Sequence, residues 1–218
     1  MDVLSYWLSE IANSNASPAS EQAWEFIAPV DRERLKVLIR RIEIVRAIKV
    51  SGKWNGKTNS TRKGNLLGHL LEEIGKVLFK SGSALAYLQR VNTTTSEIDF
   101  LMVLDALSVT VPCLRSAGTH VIGEAKCHDS APKSEWANKL AGVMNTNGCS
   151  LAILLVACPP RKLPSAIRVT LVLQASTGFN IVPFGRTQLD QVIAGASVFG
   201  VLSRQYVLMK NHAAALAV

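Results

Sequence analysis

The chain has 218 residues, 48% hydrophobic and 18% charged, enough apolar material for one packed domain with a small appendage and too much for wholesale disorder. A formal net charge of +8 directs attention to a polyanionic partner, nucleic acid before membrane. Mean hydropathy is +0.21, but no apolar run reaches the roughly 18 residues that a bilayer requires, and the first residues show no signal-peptide pattern, so a cytoplasmic protein is expected.

Residues 3–13 place Leu4, Trp7, Leu8 and Ile11 on one stripe of a short helix, and a loop follows through Pro18. Residues 23–49 resume the helical pattern with a break near Pro29. Leu35, Leu38, Ile39, Ile42, Ile44 and Val45 alternate there with Arg32, Arg34, Lys36, Arg40, Arg41 and Arg46. Such a basic amphipathic helix is either a solvated face or a contact for phosphates. Residues 51–63 read as a Gly/Asn/Ser-rich basic linker. Lys53, Lys57, Arg62 and Lys63 are candidate backbone contacts there, with Trp54 available for stacking.

The clearest helix runs over 64–80, where Leu66, Leu67, Leu70, Leu71, Ile74, Val77 and Leu78 recur at helical spacing, and Ser81-Gly82-Ser83 closes it. Strands are expected over 84–91, 98–104 and 120–126, a helix over 132–145, and a buried strand over 151–157 ended by Cys158-Pro159-Pro160. Residues 166–174 suit a strand by composition and a short helix by length. A strand over 180–184 and a helix over 189–210 interrupted by glycine complete a mixed α/β layer with helices on both faces. Cys113, Cys127, Cys149 and Cys158 lack metal-site spacing and read as buried thiols of a reducing compartment.

Two of these strands carry chemistry. Side chains alternate faces along a strand, so Glu97, Asp99, Leu101 and Val103 share one face, and His120, Ile122, Glu124 and Lys126 share another. Pairing the two strands brings Asp99, Glu124 and Lys126 to one sheet edge. Two carboxylates and an ammonium there suit a hard divalent cation and a phosphate.

The order of these elements resembles the PD-(D/E)XK nuclease superfamily, in its restriction-endonuclease-like branch, over about residues 62–206. The resemblance rests on Gly68-His69-Leu70-Leu71-Glu72 on a helix, Glu97-Ile98-Asp99-Phe100-Leu101 on an acidic strand, and Val121-Ile122-Gly123-Glu124-Ala125-Lys126 on the next strand. The helix–strand pair at 136–157 and Gly178-Phe179-Asn180-Ile181-Val182-Pro183-Phe184 leading to Leu189-Asp190 continue it. It implies a three-layer α/β core with a mixed central sheet at 62–218, preceded at 1–61 by a basic helical segment and linker. It also implies a Mg²⁺-dependent DNA endonuclease of restriction or defence type, with Mn²⁺ as a substitute ion and either a homodimer or a partner subunit. Asp99, Glu124 and the Ala125 carbonyl would hold the ion, Lys126 would position water or offset phosphate charge, and Glu72 would be the helix acid.

Helical spacing leaves that last assignment open. With the packed stripe through Leu66, Leu70, Ile74 and Val77, Glu73 lies nearer the sheet; with Leu71, Ile74, Leu78 and Phe79, both acids flank the stripe. The segment 105–119 reads as a lid, a specificity loop or a surface excursion. His128, after Cys127, reads as a substrate contact or a hydrogen-bonded structural histidine. A catalytically silent nucleic-acid-binding module on the same core, or an RNA-directed nuclease, are the alternative functions.

Overall fold

A computed structural model describes residues 18–54, 57–80, 85–92, 97–105, 108, 110–127, 133–156 and 165–216. The expected helix at 3–13, the stop at 81–83, His128, Cys158 and the two prolines after it lie outside these residues, as do the side chains of Lys53, Trp54 and Lys57.

Helices α1 (Pro18–Ile27) and α2 (Arg32–Ala47) flank the break at Pro29. Asp31 caps α2, its carboxylate accepting from the Arg34 N–H at 2.9 Å. Leu35, Leu38, Ile39 and Ile42 form the buried face of α2, whereas Ile44 points outward. The expected linker at 51–63 is more ordered than its composition suggests. Strands β1 (Lys53–Trp54) and β2 (Lys57–Thr58) pair antiparallel, and α3 (Asn59–Phe79) begins directly after them. Asn59 closes this ribbon, donating from Nδ2 to the Ser51 carbonyl at 2.6 Å and from its backbone to Gly52 at 3.1 Å. Gly52 supplies the left-handed conformation, φ +83, that this turn requires.

The central sheet has five strands in the order β3 (Leu85–Asn92), β4 (Glu97–Leu104), β5 (His120–Lys126), β6 (Leu151–Val156) and β7 (Asn180–Phe184). β3, β4 and β5 pair antiparallel; β5, β6 and β7 run parallel. The parallel steps cross over through α5 (Ser134–Thr146) and α6 (Ser165–Ser176). The ambiguous segment 166–174 is thus helical, because a parallel β6–β7 step needs a crossover that a strand cannot provide. All of β6 and β7 is buried, as expected of strands covered on both faces.

Two apolar layers cover the sheet. One gathers residues of α1, α2, α3, α7 (Arg186–Ile193) and α8 (Val198–Leu216) against Phe100, Met102, Val121, Ile153, Leu155 and Phe184. The other gathers α5 and α6 against Ile98, Ile122, Ala152, Leu154, Val156 and Ile181. The helical pattern expected over 189–210 divides into α7 and α8 at Gly195, whose φ of +113 turns the chain. Because α1 and α2 share a core with the sheet, a boundary near residue 61 falls inside the first turns of α3 and separates no second core.

The segment between β4 and β5 also departs from expectation. Val111, Cys113, Leu114 and Ala117 are buried, and α4 (Pro112–Arg115) packs against α8. The Ser116 hydroxyl lies 2.8 Å from the Tyr206 hydroxyl, and Ser150 donates to the Ser116 carbonyl at 2.7 Å. Its described part is therefore core rather than lid, driven inward by its Val-Pro-Cys-Leu run.

Candidate metal site

The site forms where β4 and β5 part. Their ladder ends at Phe100 opposite Gly123, and Asp99 and Glu124 are the next residues of the two strands past it. Beyond that point β5 is paired with β6 alone on its described ladder, Glu124 with Leu154 and Lys126 with Val156. Asp99 substitutes for the missing main-chain partner, its Oδ2 accepting from the Ala125 N–H at 2.7 Å. The N–H and C=O of one strand residue point to the same side, so the Ala125 carbonyl faces the same gap.

Gly123 makes the close approach possible. A Cβ built there would lie within the ring of Phe100, so β5 can lie over that ring only with no side chain at this position. Phe100 is fixed in turn by stacked rings on both sides, Phe79 at 5.8 Å and Tyr87 at 5.6 Å between centroids.

Glu124 and Lys126 alternate onto one face of β5 and form an ion pair. Among the described residues, Asp99 forms no ion pair of its own. Burial and, secondarily, the Glu124 carboxylate push its pKa up to about 6, against the lowering effects of the Ala125 N–H and of Lys126. Two neighbouring carboxylates in a half-buried notch, beside the Ala125 carbonyl, form a donor set of the oxygen type that Mg²⁺ takes while retaining several waters. By donor chemistry the residues fit such an ion. Among the described residues no group of three or more His, Cys, Asp or Glu side chains is placed to hold a metal ion, so the fit is that of two carboxylates with backbone and water.

Of the two helix acids, the fold turns Glu72 toward the sheet. The buried stripe of α3 is Leu67, Leu71, Glu72, Ile74, Gly75, Leu78 and Phe79, while Leu66 is 47% exposed. Glu72 therefore faces the sheet, and Glu73 turns toward α2, where it pairs with Arg34 at 3.0 Å and with Lys76 at 3.4 Å. Glu72 is nevertheless occupied. It accepts from Gln89 Nε2 at 3.0 Å, from Arg90 Nε at 3.0 Å and from Arg90 Nη2 at 3.1 Å.

Arg90 marks a second irregularity that the sequence did not announce. It has φ +52, the one non-glycine among the described residues in that region, a conformation that costs on the order of 1–2 kcal/mol. The β3–β4 register skips its pairing with Asp99. Side-chain alternation breaks here too: Gln89 and Arg90, consecutive in sequence, both reach Glu72, and Ile98 and Phe100 join opposite layers. Tyr87 closes this side. Its buried hydroxyl has no hydrogen-bond partner among the described residues, and burial with Glu72, Glu73 and Asp99 nearby holds it protonated.

No family model, no curated protein and no solved structure matches the chain. The site is therefore judged on its own chemistry.

The basic residues fall into two groups. Arg40 and Arg41 lie on the exposed face of α2. Lys63 is turned inward, donating from Nζ to the carbonyls of Arg46 at 2.7 Å and Ile48 at 3.0 Å, and so caps the C-terminus of α2. Arg62, beside it, is partly buried. At 1.5 Å per residue, Arg62 and Lys63 lie about 15 Å along α3 from Glu72. They lie in the direction that leads away from Phe79 and past the Arg90–Asp99–Glu124 end of the sheet. No described helix is long and apolar enough to cross a membrane.

Proposed function

We propose that the protein is a divalent-metal-dependent nuclease that hydrolyses phosphodiester bonds, with DNA as its substrate, on a core of the PD-(D/E)XK, restriction-endonuclease-like kind. The observation that carries this reading is the Asp99 carboxylate held on the Ala125 N–H beside Glu124 at the parted end of β4 and β5, with Lys126 paired to Glu124. The element order α3–β3–β4–α4–β5–α5–β6 also supports it, since apart from the four-residue α4 it is the helix, three strands, helix and strand that the resemblance requires.

Asp99, Glu124 and the Ala125 carbonyl would hold the ion. When bound, Mg²⁺ supplies charge neutralisation at the phosphoryl oxygens and a more acidic attacking water. Lys126 steadies Glu124 through its ammonium and places a positive charge where phosphate charge develops. Asp99, fixed by the Ala125 N–H, resists displacement toward the core. The exposed Arg40 and Arg41 of α2 give the duplex an electrostatic approach.

A catalytically silent nucleic-acid-binding module is the competing reading. It is favoured by the internal cations already set against two acids, Lys126 against Glu124 and Arg90 against Glu72. One assay separates them: Mg²⁺ and Mn²⁺ cleavage of plasmid, linear duplex, single-stranded DNA and RNA, with Glu124→Ala as control. Cleavage of DNA that EDTA and Glu124→Ala both abolish is the expected result. Equal cleavage in EDTA would refute the metal reading, and RNA-only cleavage would change the substrate.

A further inference from the structure

Arg90 is placed for more than an ion pair. Its backbone sits in a conformation that side chains rarely adopt, at the one skipped pairing of β3 and β4, directly across from Asp99. That distortion turns its side chain onto the face of Glu72, where Nε and Nη2 form a two-pronged contact with the buried carboxylate. Nη2 also lies 2.6 Å from His69 Nδ1. One edge of the guanidinium is therefore clamped by α3. The other edge, Nη1, has no partner among the described residues, and the side chain is 47% exposed. A half-exposed guanidinium held from behind by Glu72, with a free edge and set across from Asp99, is the arrangement that grips a phosphate oxygen.

We propose that Arg90 contacts a backbone phosphate of the substrate and that Glu72 is its positioning residue rather than a metal ligand. This rests on the nuclease reading and departs from the role that the resemblance gives Glu72. Glu72 and His69 hold the fork from behind, so the loss of mobility on binding phosphate is small. The ion is left to Asp99 and Glu124.

The test measures duplex-DNA binding by fluorescence anisotropy over a salt series in Ca²⁺, and Mn²⁺ binding by calorimetry, on the full chain. Arg90→Gly suits the left-handed backbone and removes only the side chain. It is expected to weaken DNA binding roughly tenfold, and to lower the slope of log K against log salt by about 0.9. Its Mn²⁺ affinity should stay within about twofold. Arg90→Lys keeps the charge and loses the fork, so the slope should persist while affinity falls. Glu72→Gln should weaken DNA binding with the slope retained and Mn²⁺ affinity again within about twofold.

A large loss of Mn²⁺ affinity in Glu72→Gln would make Glu72 a ligand and overturn the assignment. Unchanged DNA affinity and slope in Arg90→Gly, wild-type affinity in Arg90→Lys, or no DNA binding by the wild type would each overturn the phosphate contact. Failure of the nuclease reading shows separately, as Mn²⁺ binding indifferent to Asp99→Asn and Glu124→Gln.

Discussion

Asp99→Asn should make the metal-free protein more stable at neutral pH. The folded state holds the Asp99 proton up to about pH 6, against an ordinary value of 3.8, because the ionised form is half-buried beside Glu124. A raised carboxyl pKa means that the native state binds more protons than the unfolded chain between those values. Stability is full below about pH 4 and is lost as pH rises through 6. Two pKa units set a ceiling near 3 kcal/mol, and partial exposure of Asp99 reduces it to about 1–2 kcal/mol. Asparagine has no charge to bury, and its carbonyl oxygen can still accept from the Ala125 N–H. At pH 8 in EDTA the variant should therefore melt about 3–6 °C above wild type, and at pH 4 the two should coincide. Thermal melts by circular dichroism across pH 4–8 provide the measurement. A variant equal to or less stable than wild type at pH 8, or a difference that does not grow between pH 4 and 7, would refute the reasoning. Added Mn²⁺ should raise the wild-type melting temperature and leave the variant unmoved.

Other outcomes follow from the same geometry. Asp99→Ala, Glu124→Ala and Lys126→Ala should each reduce Mg²⁺-dependent DNA cleavage by at least about a hundredfold, measured as initial rates on plasmid. Gly123→Ala forces a methyl group into the Phe100 ring and should destabilise by about 1–3 kcal/mol in urea titration. Part of that loss should return in the double variant with Phe100→Leu, which gives the new atom room. Lys63→Met removes two bonds to the end of α2 and should cost about 1 kcal/mol of stability. Arg40→Ala with Arg41→Ala should leave the melting temperature unchanged and lower the salt slope of DNA binding by roughly 2.

Much of the framework was legible because it obeys short-range rules. The strands at 98–104, 120–126, 151–157 and 180–184 were visible as alternating or continuous apolar runs of strand length, and each forms within a residue or so. Alternation put Glu124 and Lys126 on one face of β5, where they form an ion pair. What escaped depends on tertiary geometry. The wheel of α3 was ambiguous because Gly75 lets the helix approach Tyr87, Phe100 and Leu155 closely, rotating the buried stripe toward Leu71 and Glu72. The left-handed turn at Arg90 depends on the grip of Glu72 and has no counterpart in the strand pattern of β3. The inward turn of Lys63 had no local signature, since it is decided by the end of α2, distant in sequence.

The kink at Arg90 also bears on how copies of this chain meet. β3 lies at one edge of the sheet, where a regular eight-residue strand would offer its unpaired backbone groups to any passing strand. A left-handed residue near its end, with the side chain folded back onto α3, spoils that edge as a template for the length over which pairing would need to run. The distortion that sets Arg90 beside the carboxylates thus also guards the sheet against self-association, and straightening it would expose the chain to aggregation.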